Sequence, residues 1–202
     1  MSRFDKMSRF DKMSRFDKKD YESPDGFNVN IWGPLVWSHL HMISFNYPIH
    51  PTQEDKETYK QMLLFAGKTL PCKSCRDNFP NNLTKTGFND AVFNSRDSFS
   101  RYIYKLHNCV NKMLGKQCEI TYNEVRDRYE MFRARCVKST PILSKHEKKE
   151  DGCSDPLYGK KSKCVIHIVP SESKIDSFKM DSRCILKKAS SLKKSPRRKS
   201  KK

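Results

Sequence analysis

The only C-x-x-C of the 202-residue chain lies in Leu70-Pro71-Cys72-Lys73-Ser74-Cys75-Arg76. Two cysteines at this spacing can close a small disulfide ring or supply half of a metal site. Pro71 lacks a backbone donor and suits a helix opening, and helix-compatible sequence follows. The cysteines are therefore expected at a helix N-terminus, where free N–H groups and the macrodipole stabilise a thiolate. Lys73 and Arg76 add positive charge nearby. Those are the conditions of a reactive redox pair. Zinc is the competing use, but a structural site takes four ligands. The chain has no second C-x-x-C or H-x-x-x-H, although Cys109, Cys118 or His107 could be recruited. No metal site is expected. A thioredoxin-like fold would need a strand before the motif and βαβ units around it, and this segment reads as helical.

The elements that must position the pair can be read from periodicity and caps. A first helix covers Ile31 to Ser44, with Pro34 in its opening turn. Trp37, Leu40, His41 and Ser44 fall at i, i+3, i+4 and i+7 and share one face. That face suits either a planar ligand or a core tryptophan with a satisfied histidine. The stretch Tyr47 to Thr52 ends this helix, and Thr52 caps a second one over Gln53–Lys68. Its stripe of Tyr59, Met62, Leu63, Ala66 and Leu70 reads as core packing. A third helix starts at the C-x-x-C, and Pro80 should kink or end it. Ser95 or Asp97 caps a fourth helix, with Phe99, Tyr102, Ile103, Leu106, Val110 and Met113 on one face. His107 and Asn111 project together from it, and Gly115-Lys116 closes it. A last helix is expected from Tyr122 to Cys136, with Val125, Tyr129 and Phe132 on one side.

Charge divides the chain. Residues 23–136 carry 15 basic and 11 acidic side chains, and residues 137–202 carry 19 and 7, of a total net charge of +18. Aromatic and apolar residues concentrate in the middle segment, which alone can bury a core. Residues 1–18 are three copies of Met-Ser-Arg-Phe-Asp-Lys, too short and polar a repeat to fold. They read as a duplication or as repeated start sites rather than a targeting signal. No apolar run reaches the ~20 residues that span a bilayer, and no signal peptide is recognisable. The expected setting is cytosolic, where structural disulfides are rare. The tail holds Cys136, Cys153, Cys164 and Cys184, which are either idle thiols or an electron shuttle. Val165–Val169 reads as a short strand or a docking segment. From Ile185 onward nine Lys or Arg occur without an acid. Such a block is expected to be disordered and to attract polyanions.

Trp37-x-x-x-His41, Tyr47-Pro48, Pro71-Cys72-x-x-Cys75, His107-Asn108-x-x-Asn111 and Gly115-Lys116 occur in that order. Together they resemble the Erv/ALR family of FAD-linked sulfhydryl oxidases, most of all its compact forms in large cytoplasmic DNA viruses. The resemblance covers about residues 28–136. It implies an all-α fold, a four-helix bundle plus a short fifth helix, paired as a homodimer and flanked by disordered termini. It implies FAD at the mouth of the bundle. Gly33, Trp37, His41 and Tyr47 would surround the cofactor from the first helix and its end. His107, Asn108, Asn111 and Lys116 would do so from the fourth, and Tyr129 from the last. Cys75 would lie against the flavin and Cys72 would exchange with protein dithiol substrates, with O2 accepting the electrons and H2O2 released. It further implies action in a host cytoplasm or a virion, without secretion.

The chain departs from the family pattern in three places. Tyr129 stands where cellular members carry a tryptophan. Tyr104 and Thr121 stand where many carry a structural disulfide, while Cys109 and Cys118 leave a different pairing open. Pro80 has no counterpart in the pattern. The implied domains are a repeat-containing N-terminus (1–22), the oxidase domain (23–137) and a basic tail (138–202). The alternative function is a basic nucleic-acid-binding or packaging protein with a small helical domain. That reading leaves the ordered Trp, His, Cys and Asn motifs without a purpose.

Overall fold

A computed structural model describes residues 16–117, 119–137, 152–175 and 179–185. They form two compact units, one ending at Glu119 and the other beginning at Ile120. The N-terminal repeats up to residue 15, Cys118 and the basic block from residue 186 lie outside the described residues.

In the first unit a four-residue helix, α1 (Lys18–Tyr21), precedes α2 (Val29–Asn46), α3 (Gln53–Lys68), α4 (Lys73–Thr86) and α5 (Arg96–Met113). A 3-10 turn, Asp90–Phe93, joins the last two. α2 starts two residues earlier than expected because Asn28 caps it, its side chain accepting from the Asn30 N–H at 3.0 Å. Pro34 therefore falls in the second turn, not the first. Its missing donor affects only the carbonyl of Asn30, an exposed residue that water can serve. α3 has the expected bounds, and a reciprocal capping box between Thr52 and Asp55 sets its start.

Pro80 does not end the helix, and α4 runs on to Thr86. Pro80 is itself exposed. On both sides of it the helix is held by packing: Phe79 against the core, then Asn82, Leu83 and Thr86 buried. That packing outweighs the ~3 kcal/mol intrinsic cost of an interior proline. α4 and α5 end alike. Gly87 (φ +71°) and Gly115 (φ +68°) each take the left-handed conformation. The following N–H groups, of Phe88 and Lys116, reach back to the Leu83 and Asn111 carbonyls.

The core joins Leu40, Leu63, Leu83, Phe93, Phe99, Ile103 and Leu106. α5 packs on both α2 and α4, so the inner face predicted from Phe99 to Leu106 is the central seam.

In the second unit α6 covers Tyr122–Glu130 and not Tyr122–Cys136. Residues Ala134–Val137 form a strand, β1, antiparallel to β2 (Gly152–Pro156). A Cys136–Cys153 disulfide joins the two strands. This pairing lies beyond the reach of any local helical period and overrides it. Val165–Val169 has no regular structure and is exposed, so neither a strand nor a docked segment forms there among the described residues. No helix of the described residues is long and apolar enough to cross a membrane.

Candidate functional site

Cys72 is the N-cap of α4, with φ −153° and ψ 123°. Its sulfur accepts the Cys75 N–H at 3.3 Å, in the manner of an N-cap oxygen. The Ser74 hydroxyl lies 3.3 Å from the same sulfur. Both cysteines are free thiols, half-buried. Hydrogen bonds from Cys75 and Ser74 hold the Cys72 thiol below its ordinary range. Burial, with the Cys72 sulfur alongside, pushes Cys75 up to about 11.

The split in acidity does not come from the two neighbouring cations. The Lys73 ammonium is tied to Asp77 at 2.8 Å, and the Arg76 guanidinium donates to the Leu70 carbonyl at 2.6 Å. Cys72 owes its acidity first to the Cys75 side chain and the Ser74 hydroxyl, with the backbone N–H groups of Cys75 and Ser74 adding less, so the expected role of the flanking charge is smaller than the sequence suggests. Arg76 instead acts on position, anchoring the turn that leads into α4.

A second cluster spans α2 and α5. The Trp37 ring stacks on His107 with centroids 4.2 Å apart and planes 7° from parallel. His41 Nε2 and His107 Nδ1 are 3.1 Å apart, so one ring donates and the other accepts. Burial lowers His41 to about 3, with His107 adding to the shift. Burial, then Lys116, lowers His107 to about 4. Both imidazoles are uncharged at neutral pH, and the shared hydrogen bond needs at least the accepting ring to be so. One indole and two neutral imidazoles form a surface suited to a flat heteroaromatic ligand.

The other predicted cofactor residues are placed as follows. Asn108 and Asn111 are half-buried on α5, within one turn of His107. Lys116 follows the Gly115 cap and is close enough to His107 to affect its titration. Gly33 is buried in α2, and a Cβ there would meet only Val29, at an ordinary 3.6 Å. The protein's own packing thus leaves room for a side chain at Gly33.

Tyr47 is fully buried in the core. Its hydroxyl donates to the Phe93 carbonyl at 2.8 Å, and burial raises it to about 12. Its ring is edge-on to both Tyr59 and Phe99, and these contacts give it a packing role. Tyr129 belongs to α6 of the second unit and packs edge-on against Phe132 at 5.8 Å. Cys109 is a free thiol and Cys118 lies outside the described residues. Among the described residues no group of three or more His, Cys, Asp or Glu could hold a metal ion.

Three residues at the C-x-x-C carry structure that the sequence reading missed. Ser74 touches the Cys72 sulfur. Gly26 forms an isolated antiparallel bridge with Cys72. Trp32 donates from Nε1 to the Phe27 carbonyl at 2.9 Å, fastening that bridging segment. The one sequence signal is Gly26 itself, a turn-forming residue type in Pro24-Asp25-Gly26.

A family model described as Erv1 / Alr matches residues 34–130. A probable FAD-linked sulfhydryl oxidase of Acanthamoeba polyphaga mimivirus is 37% identical over 93 residues, 46% of this chain and 64% of that protein. An FAD-linked sulfhydryl oxidase of African swine fever virus is 32% identical over 107 residues, 53% of this chain and 87% of that protein. The chain therefore spans a little under two thirds of the mimivirus relative. Among solved structures, the yeast Erv1 core is 29% identical with a TM-score of 0.46, covering 58% of this chain and 92% of that one.

Proposed function

The chain belongs to the Erv1/Alr family, and from that premise we propose that it is an FAD-dependent thiol oxidase that forms disulfides in protein substrates. The observation that carries this reading is the unequal thiol pair at the start of α4. One sulfur is kept acidic by hydrogen bonds from Cys75 and Ser74, and the other is buried beside it.

The donor set on α2 and α5 fits FAD. Trp37 and the neutral His41–His107 pair offer flat surfaces and imidazole nitrogens, Asn108 and Asn111 offer amides, and Lys116 offers a cation for a pyrophosphate. Gly33, with space beside it, can accept close approach. When bound, FAD supplies two-electron transfer from the thiols to O2.

The remaining steps belong to the chain's own residues. With Cys72 and Cys75 oxidised to a disulfide, a substrate thiolate attacks Cys72 and forms a mixed disulfide. Cys75 is released. A second substrate thiol then displaces Cys72, and the substrate leaves as its disulfide. Cys72 departs readily because hydrogen bonds from Cys75 and Ser74 stabilise its thiolate. Burial keeps Cys75 protonated while Cys72 carries the charge, so its proton leaves when its electrons do. Two thiols lose two electrons and two protons, and O2 gains them as H2O2.

This reading includes a homodimer. Ile31, Leu35 and Met42 form an exposed apolar stripe along α2, each 45–46% accessible, that a second copy can cover. The likeness to proteins of large DNA viruses supports action in a host cytoplasm or a virion. The basic residues after 185 support contact with a polyanion. The test is an absorption spectrum of the purified protein, then oxygen uptake on adding dithiothreitol. Flavin bands with dithiol-driven uptake are expected. A protein that stays colourless after FAD is added overturns the assignment.

A further inference from the structure

The segment leading into α2 is bonded to the redox motif through backbone alone. The Phe27 N–H donates to the Pro71 carbonyl at 2.7 Å, and the Lys73 N–H donates to the Asp25 carbonyl at 3.3 Å. Gly26 and Cys72 are the residues opposed in this bridge. Lys73 is the first residue of α4, so its N–H has no partner within the helix. The strap Asp25–Phe27 supplies one. It thus holds the peptide groups on both sides of Cys72.

Gly26 makes that approach possible. Its φ is +94°, a region that L side chains rarely adopt. A Cβ built there would lie 2.4 Å from the Pro71 oxygen and 2.9 Å from its carbonyl carbon. Both are backbone atoms and cannot swing aside. The far end of the strap is fastened by the Trp32 indole on the Phe27 carbonyl.

We infer that Gly26 is a positioning residue for Cys72: it lets the strap clamp the Cys72 backbone in the N-cap conformation that aims Sγ at the Cys75 N–H. The inference rests on reading Cys72–Cys75 as the redox pair. The titratable and charged groups around the motif are Cys75, Lys73, Arg76, Asp77 and Asp25. Lys73 is engaged by Asp77 and Arg76 by Leu70. That leaves the acidity of Cys72 to its hydrogen bonds with Cys75 and Ser74, which depend on where the N-cap conformation held by the strap places Sγ.

The test is the pH profile of iodoacetamide alkylation at Cys72, read by peptide mass mapping on the reduced full-length chain. It compares the wild type with Gly26→Ala and Trp32→Phe. Gly26→Ala should raise the midpoint by about one pH unit, the equivalent of one amide hydrogen bond to a thiolate. It should also cut dithiol turnover roughly ten- to hundredfold with flavin absorbance retained, since misplacement by about 1 Å has effects of that order. Trp32→Phe keeps an aromatic ring and deletes the donor, so it should move the midpoint the same way by less. An unchanged midpoint in both variants overturns the inference. If Gly26→Ala does not fold, an unchanged midpoint in Trp32→Phe overturns it alone. The alkylation profile needs no flavin, so failure of the oxidase assignment would appear separately, as a colourless protein with the shift intact.

Discussion

Cys72 and Cys75 stand three residues apart at the start of a helix, and both are free thiols. Cys136 and Cys153 are 17 residues apart and are joined across two antiparallel strands. The first pair lies where amide donors point at one sulfur and not the other, so its members differ in acidity. In the second pair the sulfurs are bonded to each other, and neither titrates. Close spacing on a helix N-terminus makes a pair that can be opened and closed at modest cost. A cross-strand bond closes a loop and restricts the unfolded chain. Position in the backbone, more than cysteine content, separates a pair of unequal free thiols from a staple.

The hardest test of this contrast is to remove one thiol from each pair. Cys72→Ser and Cys75→Ser should each lower dithiothreitol-driven oxygen uptake by on the order of 10³-fold or more, because neither serine can form the exchanging disulfide. Flavin absorbance should persist in both. Full turnover in either variant would erase the distinction between the two pairs and send the electron path elsewhere.

Replacing both Cys136 and Cys153 with serine should have a smaller, local effect. A loop of this length is worth about 3 kcal/mol in the chain-entropy account. The loss should appear as faster amide exchange at residues 134–137 and 152–156, with dithiothreitol turnover unchanged. A protein substrate oxidised more slowly by this variant, at equal dithiothreitol turnover, would make the pair an electron shuttle instead of a staple.

Most of the bundle could be read locally, because its signals are local. Thr52 with Asp55 fixes the start of α3, Ser95 starts α5 and Gly115 stops it, and the stripe from Phe99 to Leu106 names the seam. The C-x-x-C was legible for the same reason. What escaped depends on distant partners. Pro80 is carried inside α4 by tertiary packing that a propensity cannot register. The helix expected through Cys136 stops at Glu130, because residues 134–137 pair with a strand almost twenty residues away. In the sequence, Trp37 and His41 fit either a ligand face or a plain core, and their contact with His107 comes from another helix. Gly26 leaves the faintest trace of all. Its bridge to Cys72 uses only peptide groups, and a backbone contact writes no side-chain pattern.

The least disruptive test leaves every residue in place and asks whether the two thiols of the C-x-x-C differ. A limiting amount of iodoacetamide, added to reduced protein near pH 8, should label Cys72 ahead of Cys75. Only the thiolate reacts. Cys72 lies below the ordinary thiol value and Cys75 lies at about 11, so the thiolate fraction of Cys75 falls tenfold for each pH unit below that value. Part of the advantage is returned, since a more basic thiolate is the better nucleophile, by roughly half of the logarithmic gap. With a gap of at least about two units, a preference of about tenfold remains. It should shrink as pH rises toward the Cys75 value, where both sulfurs become charged. Equal labelling across that range would show that the N-cap geometry of Cys72 does not set its reactivity. The contrast with Cys136–Cys153 would then rest on bonding alone.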